Sequence, residues 1–350
     1  MPPQDPVIFD GHNDALLKLE RRGSGDPVRL FIDGYDAHLD LPKARAGGFG
    51  GGFFAIFVPP LEAGDFSAMA KPEYDLPLPP QMSSAEALPT ALAQAGILLR
   101  LQSEGALRIC RSATEIEACL EADTIAAIMH MEGAEAIDPD FRVLDVLYEA
   151  GLRSLGPVWS RPTIFAHGVP FRYPSTGDTG PGLTDAGRAL VGACNDRRIM
   201  IDLSHLNEAG FWEAAELSSQ PLVATHSNAH AICPHARNLT DRQLAAIRES
   251  DGMVGLNFAT AFLRPDGQMK RETDLNNMMR HLDHLIERLG EDRVGFGSDF
   301  DGALVPQPIG SVAGLPALLE AMRAHGVDAA LAKKLAHGNW LRVLKLTWGE

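Results

Sequence analysis

Apolar residues in this chain come in short unbroken runs, and many of the runs end in a residue that can hold a metal ion or a proton. Ile199-Met200-Ile201 leads through Asp202-Leu203-Ser204 to His205, and Pro221-Leu222-Val223-Ala224-Thr225 leads to His226. Between them, Asn207 to Ser218 carries helical patterning, so the unit predicts strand, helix and strand, with a histidine closing each strand. In a parallel α/β fold both imidazoles would face the rim where ligands bind, because the loops converge there and the strand ends are rigid.

The same pattern recurs along the chain. Pro6 to Asp14, Gly47 to Val58, Thr124 to Met129, Gly151 to Trp159, Met253 to Asn257 and Arg293 to Gly302 read as further strands. Helical segments are expected over Ala85 to Glu104 despite Pro89, Ser112 to Ala122, Phe141 to Ala150, Thr184 to Asn195 with Thr184 as N-cap, Thr240 to Ser250, Asp274 to Leu289 and Leu315 to Leu346. Two proline-rich stretches, Pro59 to Ser83 and residues 160–182, read as long loops, the first partly a lid. Eight strands, most followed by helical sequence, give the arithmetic of an α/β protein of the (β/α)₈ TIM-barrel class, one domain over residues 1–350. The glycines of Gly47 to Gly52 precede a strand and no Gly-Lys-Ser/Thr follows, so they read as tight packing, not as a phosphate loop.

Composition narrows the partners. With 45% hydrophobic and 22% charged residues in 350, the chain is long enough to bury a large core. A formal net charge of −15 without a local basic run opposes binding to nucleic acid or to an anionic membrane. The stretch Met1 to Pro6 lacks a basic segment followed by an apolar core, and no run is long enough to span a bilayer, so a soluble cytoplasmic protein is expected. Cys110, Cys119, Cys194 and Cys233 show neither metal-ligand nor disulfide spacing and read as core thiols.

The chemistry lies at the strand ends. His12 and Asp14, two apart on an extended segment, point the same way and can chelate one ion. Glu132 closes a buried strand, a costly place for a carboxylate unless cations or donors surround it. His130 reads as a packed or supporting group, His230 and His235 as hydrogen-bonding or surface loop residues, and His281 with His284 as a solvated helix face. On one barrel rim, His12, Asp14, Glu132, His205, His226 and Asp299 would meet, and two divalent ions about 3.5–4 Å apart suit them, with Glu132 and a water of lowered pKa between. Ligation by nitrogen and oxygen without thiolate suits a catalytic site, in which Asp299 would shuttle a proton from that water to the leaving group.

Asp10-Gly-His-Asn-Asp14, Met131-Glu132-Gly133, Ile201-Asp-Leu-Ser-His205, Thr225-His226-Ser, Ala236-Arg237-Asn238 and Gly295-Phe-Gly-Ser-Asp-Phe-Asp-Gly302, in this order, resemble the membrane (renal) dipeptidase family of zinc peptidases. The resemblance covers nearly the whole chain. It implies a barrel of the amidohydrolase type, two zinc ions bridged by Glu132, and hydrolysis of dipeptides, often with tolerance for a D-residue at the second position. It also implies that Arg237 grips the free carboxylate of the substrate, which suits a guanidinium fork. One departure concerns Trp159, which stands where mammalian members carry a histidine thought to contact the substrate carbonyl. An indole donates one hydrogen bond but cannot become a cation, and His167 in the next loop is a candidate substitute. The run to Glu350 carries no hydrophobic anchor signal, as expected of a soluble bacterial-type member. Hydrolysis of a lactone, ester or cyclic amide on the same centre, and metal-dependent peptide binding without catalysis, are the alternative functions. The sequence leaves side-chain preference, metal identity and a possible homodimer open.

Overall fold

The computed structural model describes residues 5–62 and 64–349. Met1 to Gln4 and Glu350, on which the targeting and anchor expectations partly bear, lie outside that range. Every apolar run expected to be a strand is one: β1 (Ile8–Asn13), β2 (Phe49–Phe57), β3 (Ala126–Glu132), β4 (Leu152–Gly156), β5 (Met200–Ile201), β6 (Val223–Ala224), β7 (Met253–Asn257) and β8 (Val294–Gly297). They pair in parallel in the order β5-β4-β3-β2-β1-β8-β7-β6. A parallel bridge from Asp202 to Val223, with Leu203 N donating to Val223 O at 2.8 Å, joins β5 to β6 and closes the barrel. The runs do not alternate because each strand is covered on both faces; every residue of β1, β3, β7 and β8 is buried.

Helices cover the outside. The spacing of apolar and capping residues places them well: Thr184, Asn207 and Thr240 each accept from the backbone N–H three residues on, and Ser83 with Glu86 forms a capping box that starts the helix running through Pro89. The carboxy-terminal stretch expected to be helical divides into Leu315–Ala324, Ala329–Lys333, a single π-turn and Asn339–Trp348, with Gly326 at φ +101° making the first break. From the last helix, Trp340 packs against β1, β7 and β8 and donates to Phe296 O at 3.1 Å. A Cβ on Gly11 or Gly295 would stand 2.5 or 2.9 Å from its ring, so these glycines make room for the indole beneath the rim histidines.

One expectation is corrected and another narrowed. His281 is fully buried, not solvated: it sits on the inner face of the helix Asn276–Leu289, where Nδ1 accepts from Ala229 N at 3.1 Å and Nε2 contacts Leu263 O at 3.0 Å. Of the two roles open to His235, hydrogen bonding holds and surface exposure does not: it is buried, its Nδ1 accepting from Arg237 N at 3.0 Å, because the loop after β6 folds inward under the canopy. The two proline-rich loops are not separate. Tyr74–Asp75 pairs antiparallel with Arg172–Tyr173, and the tyrosine hydroxyls donate to Gly267 O and Pro265 O, so three loops form one canopy over the rim. No helix among the described residues is long and apolar enough to cross a membrane.

Candidate active site

At the carboxyl rim the ends of β1, β3, β5, β6 and β8 converge on Glu132. Its Oε1 lies 3.0 Å from His205 Nε2 and 3.5 Å from His226 Nε2, while its Oε2 lies 3.6 Å from His12 Nε2. His12 Nε2 is also 3.4 Å from Asp14 Oδ2. The two carboxylate oxygens thus serve two different sets of partners. Asp299 lies against Asp14 and His12, its Oδ2 fixed by Asn257 Nδ2 at 3.0 Å. All six residues expected to meet at the rim do so.

The second ring nitrogen of two of these histidines is occupied by a hydroxyl. Ser160 Oγ stands 2.9 Å from His205 Nδ1, and Thr225 Oγ1 stands 2.8 Å from His226 Nδ1. Thr225 is itself held by Asp202, whose Oδ1 also accepts from Ser204 N and Thr225 N. Such contacts fix ring orientation and leave Nε2 as the free donor. Asp10 does similar work opposite, accepting from Ser298 N and Oγ at 2.6 and 2.7 Å and thereby tying β1 to the turn that carries Asp299. His130 packs edge-on to His12 with Nδ1 2.9 Å from Ser154 Oγ, the supporting place expected for it. Asp10, Asp202, Asn257, Ser160 and Thr225 were not singled out from the sequence as functional, although Asp10 and Asp202 stand inside the motifs that flagged His12 and His205.

The electrostatics suit a bound cation. Burial raises the Glu132 carboxyl to about 7 against the pull of His12, and it raises Asp299, with Asp14 adding to the rise. Burial by itself would depress His12, but Glu132 and Asp14 outweigh it and hold its pKa well above the ordinary value. His205 and His226 are pushed well below theirs, first by burial and then by Arg237 and His12. Two neutral imidazoles therefore aim their lone pairs at one another and at Glu132, with the Nε2 atoms 3.1 Å apart. His12 Nε2 and Asp14 Oδ1 are buried with no hydrogen-bond partner. Unpaired nitrogen and oxygen donors around a buried carboxylate fit divalent cations of the zinc type.

His205, Asp299 and Asp301 all adopt positive φ, of 67°, 61° and 68°, in the left-handed region that non-glycine residues rarely occupy. Neighbouring bonds hold them there. Asp301 accepts from His38 N and Leu39 N, and a Cβ on Gly302 would stand 2.1 Å from Asp14 Oδ2 and 2.5 Å from Asp299 Oδ1.

The cavity above the cluster measures about 360 Å³, and Asp14, Glu132, His205, Asp299 and Trp159 are among its walls. Trp159 belongs to an aromatic belt, its ring 5.0 Å from Phe57, 5.6 Å from Phe171 and 6.0 Å from His205. His167 does not line this cavity: it is turned to Gly182 O at 3.2 Å, where it holds the loop. Arg237 is buried beside the cluster, donating from Nη2 to His226 O at 3.0 Å and from Nη1 to Ser227 Oγ at 3.4 Å, with Phe262 under its guanidinium. It makes no ion pair among the described residues, and its Nε has no partner. Burial lowers its pKa to about 10, so it stays cationic at neutral pH.

Residues 4–347 match the profile of the membrane dipeptidase family, peptidase family M19. The chain belongs to the membrane dipeptidase family. It is a metallopeptidase of that family on a TIM-barrel scaffold of the amidohydrolase type. A metallo peptidase from Rhodobacter sphaeroides, solved with a phosphinate mimic of the dipeptide L-Ala-D-Ala, is 56% identical and superposes with a TM-score of 0.97 over 99% of this chain and 100% of that one. A protein encoded in the pqqA 5′ region of Klebsiella pneumoniae is 50% identical over 259 residues, 73% of this chain and 96% of that one. An amidohydrolase from Pseudomonas aeruginosa, 19% identical with a TM-score of 0.76, shares the fold over 99% of this chain and 97% of its own.

Proposed function

We propose that this membrane dipeptidase family member hydrolyses the peptide bond of free dipeptides, tolerating a D-residue at the second position, on two zinc ions. His12 and Asp14 would hold one, His205 and His226 the other, with Glu132 shared. The observation that carries the reading is the division of the Glu132 carboxylate, one oxygen toward His12 and the other toward His205 and His226. The ions would supply Lewis acidity to the scissile carbonyl oxygen and lower the pKa of the attacking water.

The remaining steps fall to the chain's own side chains. Asp299, oriented by Asn257 and with its pKa raised, accepts the proton that water gives up as its oxygen bonds to the carbonyl carbon. It returns that proton to the amide nitrogen as the C–N bond breaks, releasing two amino acids. Arg237, cationic and without an ion-pair partner, takes the substrate carboxylate, which limits the substrate to two residues. The L-Ala-D-Ala mimic bound by the Rhodobacter protein supports both the dipeptide length and the D-residue. Trp159 offers an apolar wall where a cationic histidine would stand, leaving polarisation of the carbonyl to the ions.

Metal analysis with a dipeptide panel tests the reading. The expected result is about two equivalents of metal and turnover of free dipeptides, with C-terminally amidated ones cleaved at least about tenfold more slowly. A metal-loaded protein that cleaves no dipeptide would overturn it.

A further inference from the structure

Three residues beyond Glu132 lies a second buried carboxylate, Glu135, whose side chain is wholly sealed from solvent. Its partner is Arg161, equally sealed, whose Nε and Nη2 lie 3.0 and 2.8 Å from Glu135 Oε1, while Nη2 also donates to Val58 O at 2.7 Å. Stability is a weak reason for such a pair, because two well-packed apolar side chains of similar volume often serve the fold as well or better. What the guanidinium connects is more telling. Val58 follows Phe57, which is in register with Glu132 across β2 and β3. Glu135 is reached from Glu132 through Gly133, at φ +81°, and its Oε2 presses so closely on that glycine that a Cβ would stand 2.4 Å away. Arg161 follows Ser160, the hydroxyl that stands 2.9 Å from His205 Nδ1.

We propose that Arg161 and Glu135 are positioning residues for the metal centre: their ion pair fixes the turn after Glu132, the end of β2 and the Ser160 hydroxyl against one another, and so sets the separation of Glu132 Oε1 from His205 Nε2. The inference rests on the reading that these two side chains bind metal. Neither Arg161 nor Glu135 touches the cluster. Their influence passes through the peptide chain to Glu132 and Ser160, and contacts of this supporting kind shift metal affinity by about 10–100-fold.

The discriminating experiment is the double variant Arg161→Met/Glu135→Met, studied as the full chain with Zn²⁺ alone as the probe. Two quantities are measured: the dissociation constant for Zn²⁺ by competition with a chromogenic chelator, and the melting temperature of the metal-free protein. A pair that only supports the fold gives parallel changes, both near wild type or both worse. Positioning predicts divergence, with the metal-free melting temperature at or above wild type and Zn²⁺ binding weakened about 10–100-fold. Wild-type affinity in a folded double variant overturns the proposal. If the double variant does not fold, Arg161→Lys decides: it keeps the charge but not the fork, so Zn²⁺ binding should still weaken several-fold at a near-native melting temperature, and unchanged binding overturns the proposal. A wild-type protein that takes up no Zn²⁺ would instead strike the assignment of the ligands themselves.

Discussion

Glu132 and Glu135 sit three residues apart on the same turn, both buried, and the protein treats them in opposite ways. Glu135 has a permanent counter-charge in Arg161, although its Oε2 and Arg161 Nη1 have no hydrogen-bond partner. Glu132 is given imidazole nitrogens and neighbouring carboxylates, with no arginine or lysine in ion-pair reach among the described residues. A buried carboxylate whose charge the chain balances with its own guanidinium needs no ion from outside, and one without such a partner can take a metal cation. The histidines divide in the same manner. His281 has a partner on each nitrogen, whereas His205 and His226 have one nitrogen held by a hydroxyl and the other aimed into the cluster.

The largest effect that could break this comparison is at Glu132 itself. Glu132→Gln should leave the metal-free fold largely intact, since an amide of the same shape replaces a carboxyl that burial already pushes toward its neutral form. It should reduce kcat/KM for dipeptides by about 10³-fold or more, several kcal/mol of metal-dependent stabilisation being lost. Melting curves and kinetics together check it; a large loss of metal-free stability would mean that Glu132 holds the fold together without metal.

Breaking the sealed pair from one side should cost folding stability as well. Arg161→Met alone strands Glu135 in the interior and should cost about 3–5 kcal/mol of folding stability, measured by denaturant unfolding. A cost below about 1 kcal/mol would show that Glu135 needs no partner, and the contrast would lose its physical basis.

His281 extends the comparison to pH. Burial lowers its pKa to about 4 from an ordinary 6.5, with Arg280 and His284 adding to the fall and the Leu263 carbonyl opposing it; the Ala229 N–H that Nδ1 accepts also has no place beside a second ring proton. A depressed folded pKa contributes stability that is present above pH 6.5 and is lost as pH falls toward 4. His281→Gln keeps an acceptor and a donor but does not titrate. The stability advantage of the wild type over this variant should therefore shrink by about 3 kcal/mol between pH 7 and pH 4. A difference that stays constant across that window would show that His281 is not held neutral by its surroundings.

How much of this was legible in the sequence follows from which signals are local. The eight strands and the six rim residues could be read because an apolar run and the polar residue that ends it are neighbours in the chain, and the barrel converts chain order into a shared rim. The Arg161–Glu135 pair could not, since its partners are 26 residues apart and neither carries a pattern. The burial of His281, and the choice between surface and interior for His235, were hidden for a related reason: a histidine on a helix or loop does not announce which way it faces, and the inward orientation depends on Leu263, Ala229 and the canopy. The two proline-rich loops were visible, but their pairing through Tyr74 and Tyr173 was not, because two-residue strands leave no periodicity to detect.

The smallest predicted effect lies where the two regions touch. Trp159 and Arg161 are separated by one residue, yet Trp159 lines the cavity and Arg161 is sealed behind it. Trp159, Phe66 and Phe171 also border a neighbouring chamber of about 660 Å³ beneath the proline-rich loop, so the indole is part of the partition between the two spaces. Trp159→Ala should open that partition at little cost to the metal cluster, whose ligands it does not hold. Apolar pockets discriminate by about 1–3 kcal/mol per methylene, so a modest shift is expected: the ratio of kcat/KM for a dipeptide with one aromatic side chain over that for a dialanine should rise about fivefold or more, while Zn²⁺ content stays unchanged. An unchanged ratio would mean that the wall facing the substrate is set by Phe57 and Phe171 and that Trp159 serves only to pack against them. Loss of metal would instead make Trp159 part of the support around His205, moving the boundary between the open and sealed regions by one ring.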